Sequence, residues 1–261
     1  MIHKSSVVSP KAHIDESTYI GPFCNIGEGV KLGKNNQLIS HVSIVGNTTI
    51  ENDNTFYPFS SIGSEPQDLK YKNEISYLNI GSKNKFRENV TINTGTKGGG
   101  LNTLIEDNCL FMVGSHIAHD CIIRSNVILA NNATLAGHVE IDNNAIIGGN
   151  SAIHQFVKIG KYAMIGGMSG VEKDIIPYGL YTGIRENLKS LNIIGLKRKG
   201  LKSNSINEIK KIVNLIFDKK DTIENNLKKY DIRLNQIEEI NEIVNFLDLS
   251  SKRGITIFEN D

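Results

Sequence analysis

Residues 19–50 read YIGPFCNIGEGVKLGKNNQLISHVSIVGNTTI, and within them an aliphatic side chain recurs at every sixth position: Ile20, Ile26, Leu32, Leu38, Ile44 and Ile50. Followed back to Ile2 through Ile14 and Val8, and forward to Ile62 through Phe56, the run has no miss. With 39% of the chain apolar, eleven successive hits by chance have a probability on the order of one in ten thousand or rarer. The step resumes at Ile80, Phe86 and Ile92. A second unbroken series runs from Ile105 through Phe111, Ile117, Ile123, Leu129, Leu135, Ile141, Ile147, Ile153, Ile159 and Ile165 to Val171.

A helix repeats every 3.6 residues and a strand every two, so neither sustains a period of six. A prism does. If each hexapeptide forms a short strand and a corner, three of them close a triangular coil of eighteen residues, and coils stack at the strand spacing of about 4.8 Å. The aliphatic residue points inward, and the residue four places on, also inward, has to be small. Ser6, Ala12, Thr18, Cys24, Val30, Val42, Thr48 and Ser60 obey this; Asn36 and Asn54 do not. All three cysteines, Cys24, Cys109 and Cys121, occupy that inward place and read as reduced packing groups. Glycines after the aliphatic residue (Gly21, Gly27, Gly33, Gly63, Gly81, Gly148, Gly160, Gly166) are expected to supply unusual backbone angles at corners.

Two stretches interrupt the pattern. Residues 63–79 keep the phase but place Asp68 and Glu74 where aliphatics belong, and 94–103, TGTKGGGLNT, shifts it by one residue. Both read as loops leaving the prism, and long loops on a rigid scaffold tend to carry function. Beyond Pro177 the period stops. From about Leu188 the spacing turns helical, with Ile206, Ile209, Val213 and Ile216 on one face and Ile237, Ile240, Val244 and Leu247 on another, and with Asn204 and Asp221 as N-caps. The expected organisation is a mainly β prism over 1–185 and a small α-helical domain over 186–261.

The 29 basic and 28 acidic residues leave a net charge of +1, so no global field favours nucleic acid or an anionic membrane as partner. The N-terminal MIHKSSVVSPKAH has no apolar core of a signal peptide, and no apolar run is long enough to span a bilayer. We expect a cytoplasmic protein without stable membrane insertion.

The register also stacks the polar residues. His119, Gly137 and Gln155 fall eighteen apart in one column, and Asp120, His138 and Phe156 in the next. With His116 and His154 they form a wall holding four of the chain's seven histidines. A histidine can take a proton from a hydroxyl or amine while a carboxylate orients it, and an amide beside a glycine can hold an oxyanion. No serine-nucleophile motif is present, so direct transfer is the simpler chemistry.

The string HIAHDCIIRSNVILANNATLAGHVEIDNNAIIGGNSAIHQFVKIG, with QDLKY upstream and GLKRKG downstream, resembles the UDP-N-acetylglucosamine O-acyltransferases of lipid A biosynthesis, within the hexapeptide-repeat acyltransferases. The likeness covers essentially the whole chain. It implies a left-handed parallel β-helix with a C-terminal α-helical domain, a homotrimer, and transfer of an (R)-3-hydroxyacyl group from acyl carrier protein to the glucosamine 3-position of UDP-N-acetylglucosamine. It implies no cofactor and no metal. His119 becomes the general base, Asp120 its orienting partner and the Gly137 amide the oxyanion donor. Asp68, Lys70, Asn93, His116, His138, His154 and Gln155 become substrate contacts, Asn192 and Arg198 nucleotide contacts, and Gly167 the residue limiting acyl length.

The chain departs from the pattern at Asn93-Thr94, often His-Arg, at Lys199, often Arg, and at Ile194, often acidic. Asn93 leaves N-acylation of a 3-amino sugar analogue as an alternative. From another class, a metal hydratase like γ-carbonic anhydrase could use His116, His119 and His138 as zinc ligands, though their spacing does not match that family.

Overall fold

A computed structural model describes residues 1–183 and 188–258. Its hexapeptides wind into a prism whose three faces are sheets of nine, eight and ten strands. The first face opens with Val7–Val8, the second with His13–Ile14 and the third with Tyr19–Ile20, and the chain visits them in that order. Parallel partners lie eighteen residues apart, as Val7 with Asn25 and Ile117 with Leu135. The aliphatic residue of almost every strand is buried, and Phe56, Phe86 and Phe111 stack at 4.6 and 4.9 Å, the spacing of the coils themselves.

The two exceptions to the small-residue rule have a common explanation. Asn36, Asn54 and Asn84 are fully buried one above another. The Asn54 amide donates to Asn36 Oδ1 and to the Gly81 carbonyl, while its own Oδ1 accepts the Asn84 N–H; Asn84 Oδ1 accepts the Cys109 N–H. An amide ladder satisfies backbone groups that a small apolar residue would leave bare.

The glycines serve a different purpose from the one expected. Of those following the aliphatic positions, only Gly63 has positive φ. The left-handed turn comes two residues later, at non-glycine residues such as Asn126, Asn132, Asp120, His138 and Phe156. At the glycine itself the next coil is too close: a Cβ on Gly21 would come within 1.8 Å of the Ile39 carbonyl oxygen, and one on Gly160 within 2.3 Å of Pro177 N.

Both loops are present and shorter than expected. Tyr77 pairs with Asn47, thirty residues back, so the first insertion, residues 65–76 between strands Ser61–Ser64 and Tyr77–Ile80, is two hexapeptides long and returns in phase. Tyr77 then pairs with Asn102, twenty-five residues on, which accounts for the one-residue shift. Residues 94–101 form this second loop, with a 3-10 turn at Lys97–Gly99.

Leu188–Leu191 is not helical as expected but an antiparallel strand against Gly179–Tyr181, burying Leu188 and Leu191 on the last coil. The expected boundary at 185/186 lies outside the described residues. Among the described residues four α-helices follow: α1, Ile193–Arg198; α2, Ser203–Ile216; α3, Ile223–Lys229; α4, Glu238–Asp248. The apolar stripes of α2 and α4 face inward. The caps differ from those expected: Asn192 caps α1 and Thr222 caps α3, whereas Asn204 lies inside α2 and Asp221 bonds Thr222 N and Asn225. Lys199 ties the helices together and to the prism, donating to Glu239 at 2.7 Å and to the Tyr178 hydroxyl at 3.1 Å. Among the described residues, no helix is long and apolar enough to cross a membrane.

Candidate active site

Both loops leave the corner where the first face turns into the second, one coil apart, and the next coil places His119 and Asp120 on that same corner. The loops brace each other. Glu74 accepts Lys97 N and Lys72 N on its two oxygens, Ser76 donates to Thr94 Oγ1, and Asn93 Nδ2 donates to the Glu65 carbonyl at 2.8 Å.

The second loop then closes over Asp120. Thr96 N–H donates to Oδ1 at 2.8 Å and Thr96 Oγ1 to Oδ2 at 2.5 Å, while the Asp120 N–H donates to Thr103 Oγ1. Gly99 lies against the carboxylate so closely that a Cβ there would sit 2.1 Å from Asp120 Cγ. Burial raises the Asp120 carboxyl pKa, but hydrogen bonds from His119 and Thr96 outweigh it and hold the group below the usual range, so it is ionised at neutral pH.

His119 Nδ1 stands 2.8 Å from Asp120 Oδ2. An ionised carboxylate only accepts, so Nδ1 carries the proton and Nε2 keeps a free lone pair. The ring lies over Gly137, where a Cβ would come within 2.5 Å of His119 Cε1. Only glycine fits that position. The Gly137 N–H has no acceptor among the described residues.

His138 stacks on Phe156 at 4.3 Å and meets His119 edge-on at 5.1 Å, confirming the two columns. Burial pushes its pKa down, against the Asp120 charge, with smaller opposing effects from the charges of Asp68 and Lys70. His116 is lowered chiefly by burial and bonds Thr91 Oγ1 at 2.7 Å. His154 and Gln155 continue the wall, with His154 Nδ1 3.3 Å from the Gln155 carbonyl.

Other expected contacts lie elsewhere. Asn93 is buried; its amide nitrogen donates to the first loop, and its Oδ1 has no hydrogen-bond partner among the described residues. Gly167 is on the corner between the third and first faces, against Gly149. Asn192 holds the Tyr162 carbonyl and caps α1, and Arg198 is exposed at that helix's end. Within one chain neither hydrogen-bonds the histidine wall. As to metal, the groups that converge are His119, Asp120 and His138, with ligand atoms within 4.8 Å of one another, and not the set with His116; both Asp120 oxygens are already engaged by Thr96 and His119. The thiols of Cys109 and Cys121 are pushed up to about 12 by burial and cannot act as nucleophiles.

Thr96, Gly99 and Thr103 escaped the sequence reading because the glycine-rich loop shows no period that would say which of its residues reach the next coil. The signal available was the loop's composition and its position one coil before HIAHDC.

A family model described as UDP-N-acetylglucosamine O-acyltransferase, domain 2, matches residues 174–256, and one for the bacterial transferase hexapeptide matches 102–137. The acyl-[acyl-carrier-protein]--UDP-N-acetylglucosamine O-acyltransferase of Thermodesulfovibrio yellowstonii is 46% identical over 97% of this chain and 98% of its own length. Among solved structures, the UDP-N-acetylglucosamine acyltransferase of Francisella novicida is 35% identical with a TM-score of 0.94, covering 100% of this chain and 95% of that one. That of Campylobacter jejuni is 34% identical with a TM-score of 0.92, covering 99% and 100%.

Proposed function

Because the chain belongs to the UDP-N-acetylglucosamine O-acyltransferase family, with its left-handed parallel β-helix and helical C-terminal part, we propose that His119 is the general base of its reaction. The enzyme moves an acyl group from acyl carrier protein to UDP-N-acetylglucosamine, the first step of lipid A biosynthesis. His119 Nε2 takes the proton of the glucosamine 3-hydroxyl as that oxygen attacks the thioester carbonyl of the (R)-3-hydroxyacyl donor. Asp120 keeps the imidazole in the required tautomer and stabilises the imidazolium. The Gly137 N–H receives the oxyanion, and the imidazolium returns its proton to the departing thiolate. Asp68, Lys70, His116, His138, His154 and Gln155 orient the substrates around this centre.

We further propose a homotrimer acting in the cytoplasm. His119, Gly167 and Asn192 with Arg198 lie at three separate places on one prism, and a second copy can bring them to a common cleft. Leu69 and Met168, at 105% and 74% exposure, are apolar groups that such a neighbour or an acyl chain would cover. Hydroxyl rather than amine acceptance is favoured because the relatives that match along the chain are named O-acyltransferases.

The observation carrying the mechanism is the His119–Asp120 hydrogen bond, with the His119 ring packed against Gly137. His119→Ala should lower kcat by about a thousandfold while circular dichroism and thermal melting stay close to wild type. Turnover within tenfold of wild type would remove His119 from the role of base.

A further inference from the structure

The outer wall of the cleft beside Asp120 and His138 has no part in the reaction described so far. It is made by Ser251, Lys252 and Arg253, from the tail that follows α4, and Phe156 lines the same cleft. This tail is fixed by one buried carboxylate. Asp174, fully buried, accepts Ser251 N–H on Oδ2, and Ser251 Oγ–H at 2.8 Å and Lys158 N–H at 2.9 Å on Oδ1. Its backbone pairs with Gly254 and Thr256 on either side.

Arg253 is thereby set against the catalytic wall. Its Nε donates to the Gln155 carbonyl at 3.0 Å, and its terminal nitrogens have no acceptor among the described residues. The nearby acids do not neutralise it: Glu140 pairs with Lys158 at 3.3 Å, and Asp120 is held by Thr96 and His119. Lys252 adds a second, exposed cation. A guanidinium held at one nitrogen, with its remaining donors turned to a cleft, suits bidentate binding of a phosphate and loses little freedom in doing so.

We propose that Arg253, assisted by Lys252, binds a phosphate group of a substrate, and that Asp174 is the positioning residue that holds both cations in place. The proposal rests on the acyl-transfer reading, which brings two phosphate-bearing molecules to this corner. Gln155 lies two rungs from His119, about 10 Å. The acceptor's diphosphate is attached at C1, two carbons from the reacting hydroxyl, and the donor's thioester arm begins at a phosphodiester; either phosphate can meet a cation at that distance.

The test is steady-state kinetics of full-length Arg253→Gln with UDP-N-acetylglucosamine and, as donors, acyl-phosphopantetheine and acyl-pantetheine, which lacks the phosphate. KM for one phosphate-bearing substrate should rise about tenfold or more, with kcat within about twofold and partial recovery in Arg253→Lys. If the donor phosphate is the ligand, wild type favours the phosphorylated donor and the variant loses that preference. If the acceptor diphosphate is the ligand, KM for the nucleotide sugar rises and the donor preference is unchanged. Unaltered KM for both substrates, or dissociation of the assembly in the variant, would overturn the assignment. Should wild type transfer no acyl group at all, the fault lies in the acyl-transfer reading. Titration with inorganic pyrophosphate, weakened about tenfold by the substitution, still reads the anion site, and equal binding by both proteins would overturn it.

Discussion

His119 and Asp120 are neighbours in the chain, yet the geometry of their pair depends on Thr96, twenty-four residues away. Thr96 Oγ1 and His119 Nδ1 both reach Asp120 Oδ2, so the hydroxyl sets where the imidazole finds its acceptor. Removing it leaves the Thr96 N–H on Oδ1 but frees Oδ2 to rotate. Thr96→Val should therefore lower kcat about tenfold to a hundredfold with KM for both substrates nearly unchanged, and Thr96→Ser should restore most of the loss. Equal damage from both variants would mean that Thr96 serves loop packing only. The register of six made His119, Asp120, Gly137 and His138 readable, because a strict period converts sequence distance into height on the prism. It could not reach Thr96, which lies in the stretch that shifts the phase, nor tell that Asn93, directly after the inward Ile92, turns its amide to the other loop.

At the scale of elements, the prism was foreseeable from its aliphatic residues, and its departures are physical rather than accidental. Glycines were read as a need for positive φ, whereas close stacking of coils excludes a Cβ there and the left-handed corner falls on residues such as Asn126 and His138. Leu188–Leu191 carries apolar residues at a spacing that suits a helix, but an open sheet edge at Gly179–Tyr181 offers backbone partners and takes it as a strand. The asparagine ladder is the clearest case of a local rule yielding to backbone satisfaction. Asn54→Ala would remove the acceptor of the Asn84 N–H and the donor to the Gly81 carbonyl inside a dry core. It should cost about 3 kcal/mol, seen as a lower midpoint in denaturant, whereas Gln37→Ala, exposed on the strand that follows Asn36, should change stability by less than about 0.5 kcal/mol. A neutral Asn54→Ala would show that water or neighbouring groups replace the ladder.

For the whole molecule, a rigid coil carries one reactive corner, two loops that roof it, and a tail anchored by Asp174 that closes its far side. Nothing in this arrangement asks the enzyme to form a covalent intermediate: the cysteines are buried in the core, and His119, the proposed base, bonds Asp120 through Nδ1 and leaves Nε2 for the substrate. The central claim is that this corner activates a sugar hydroxyl for direct attack on a carrier-bound thioester. The most direct measurement is a matched assay of the purified protein with hydroxyacyl carrier protein and either UDP-N-acetylglucosamine or its 3-amino analogue, the products weighed by mass spectrometry. An alkali-labile 3-O-acyl ester of UDP-N-acetylglucosamine as the favoured product is the predicted result, and an amide on the amino analogue with no ester on the hydroxyl substrate would contradict it.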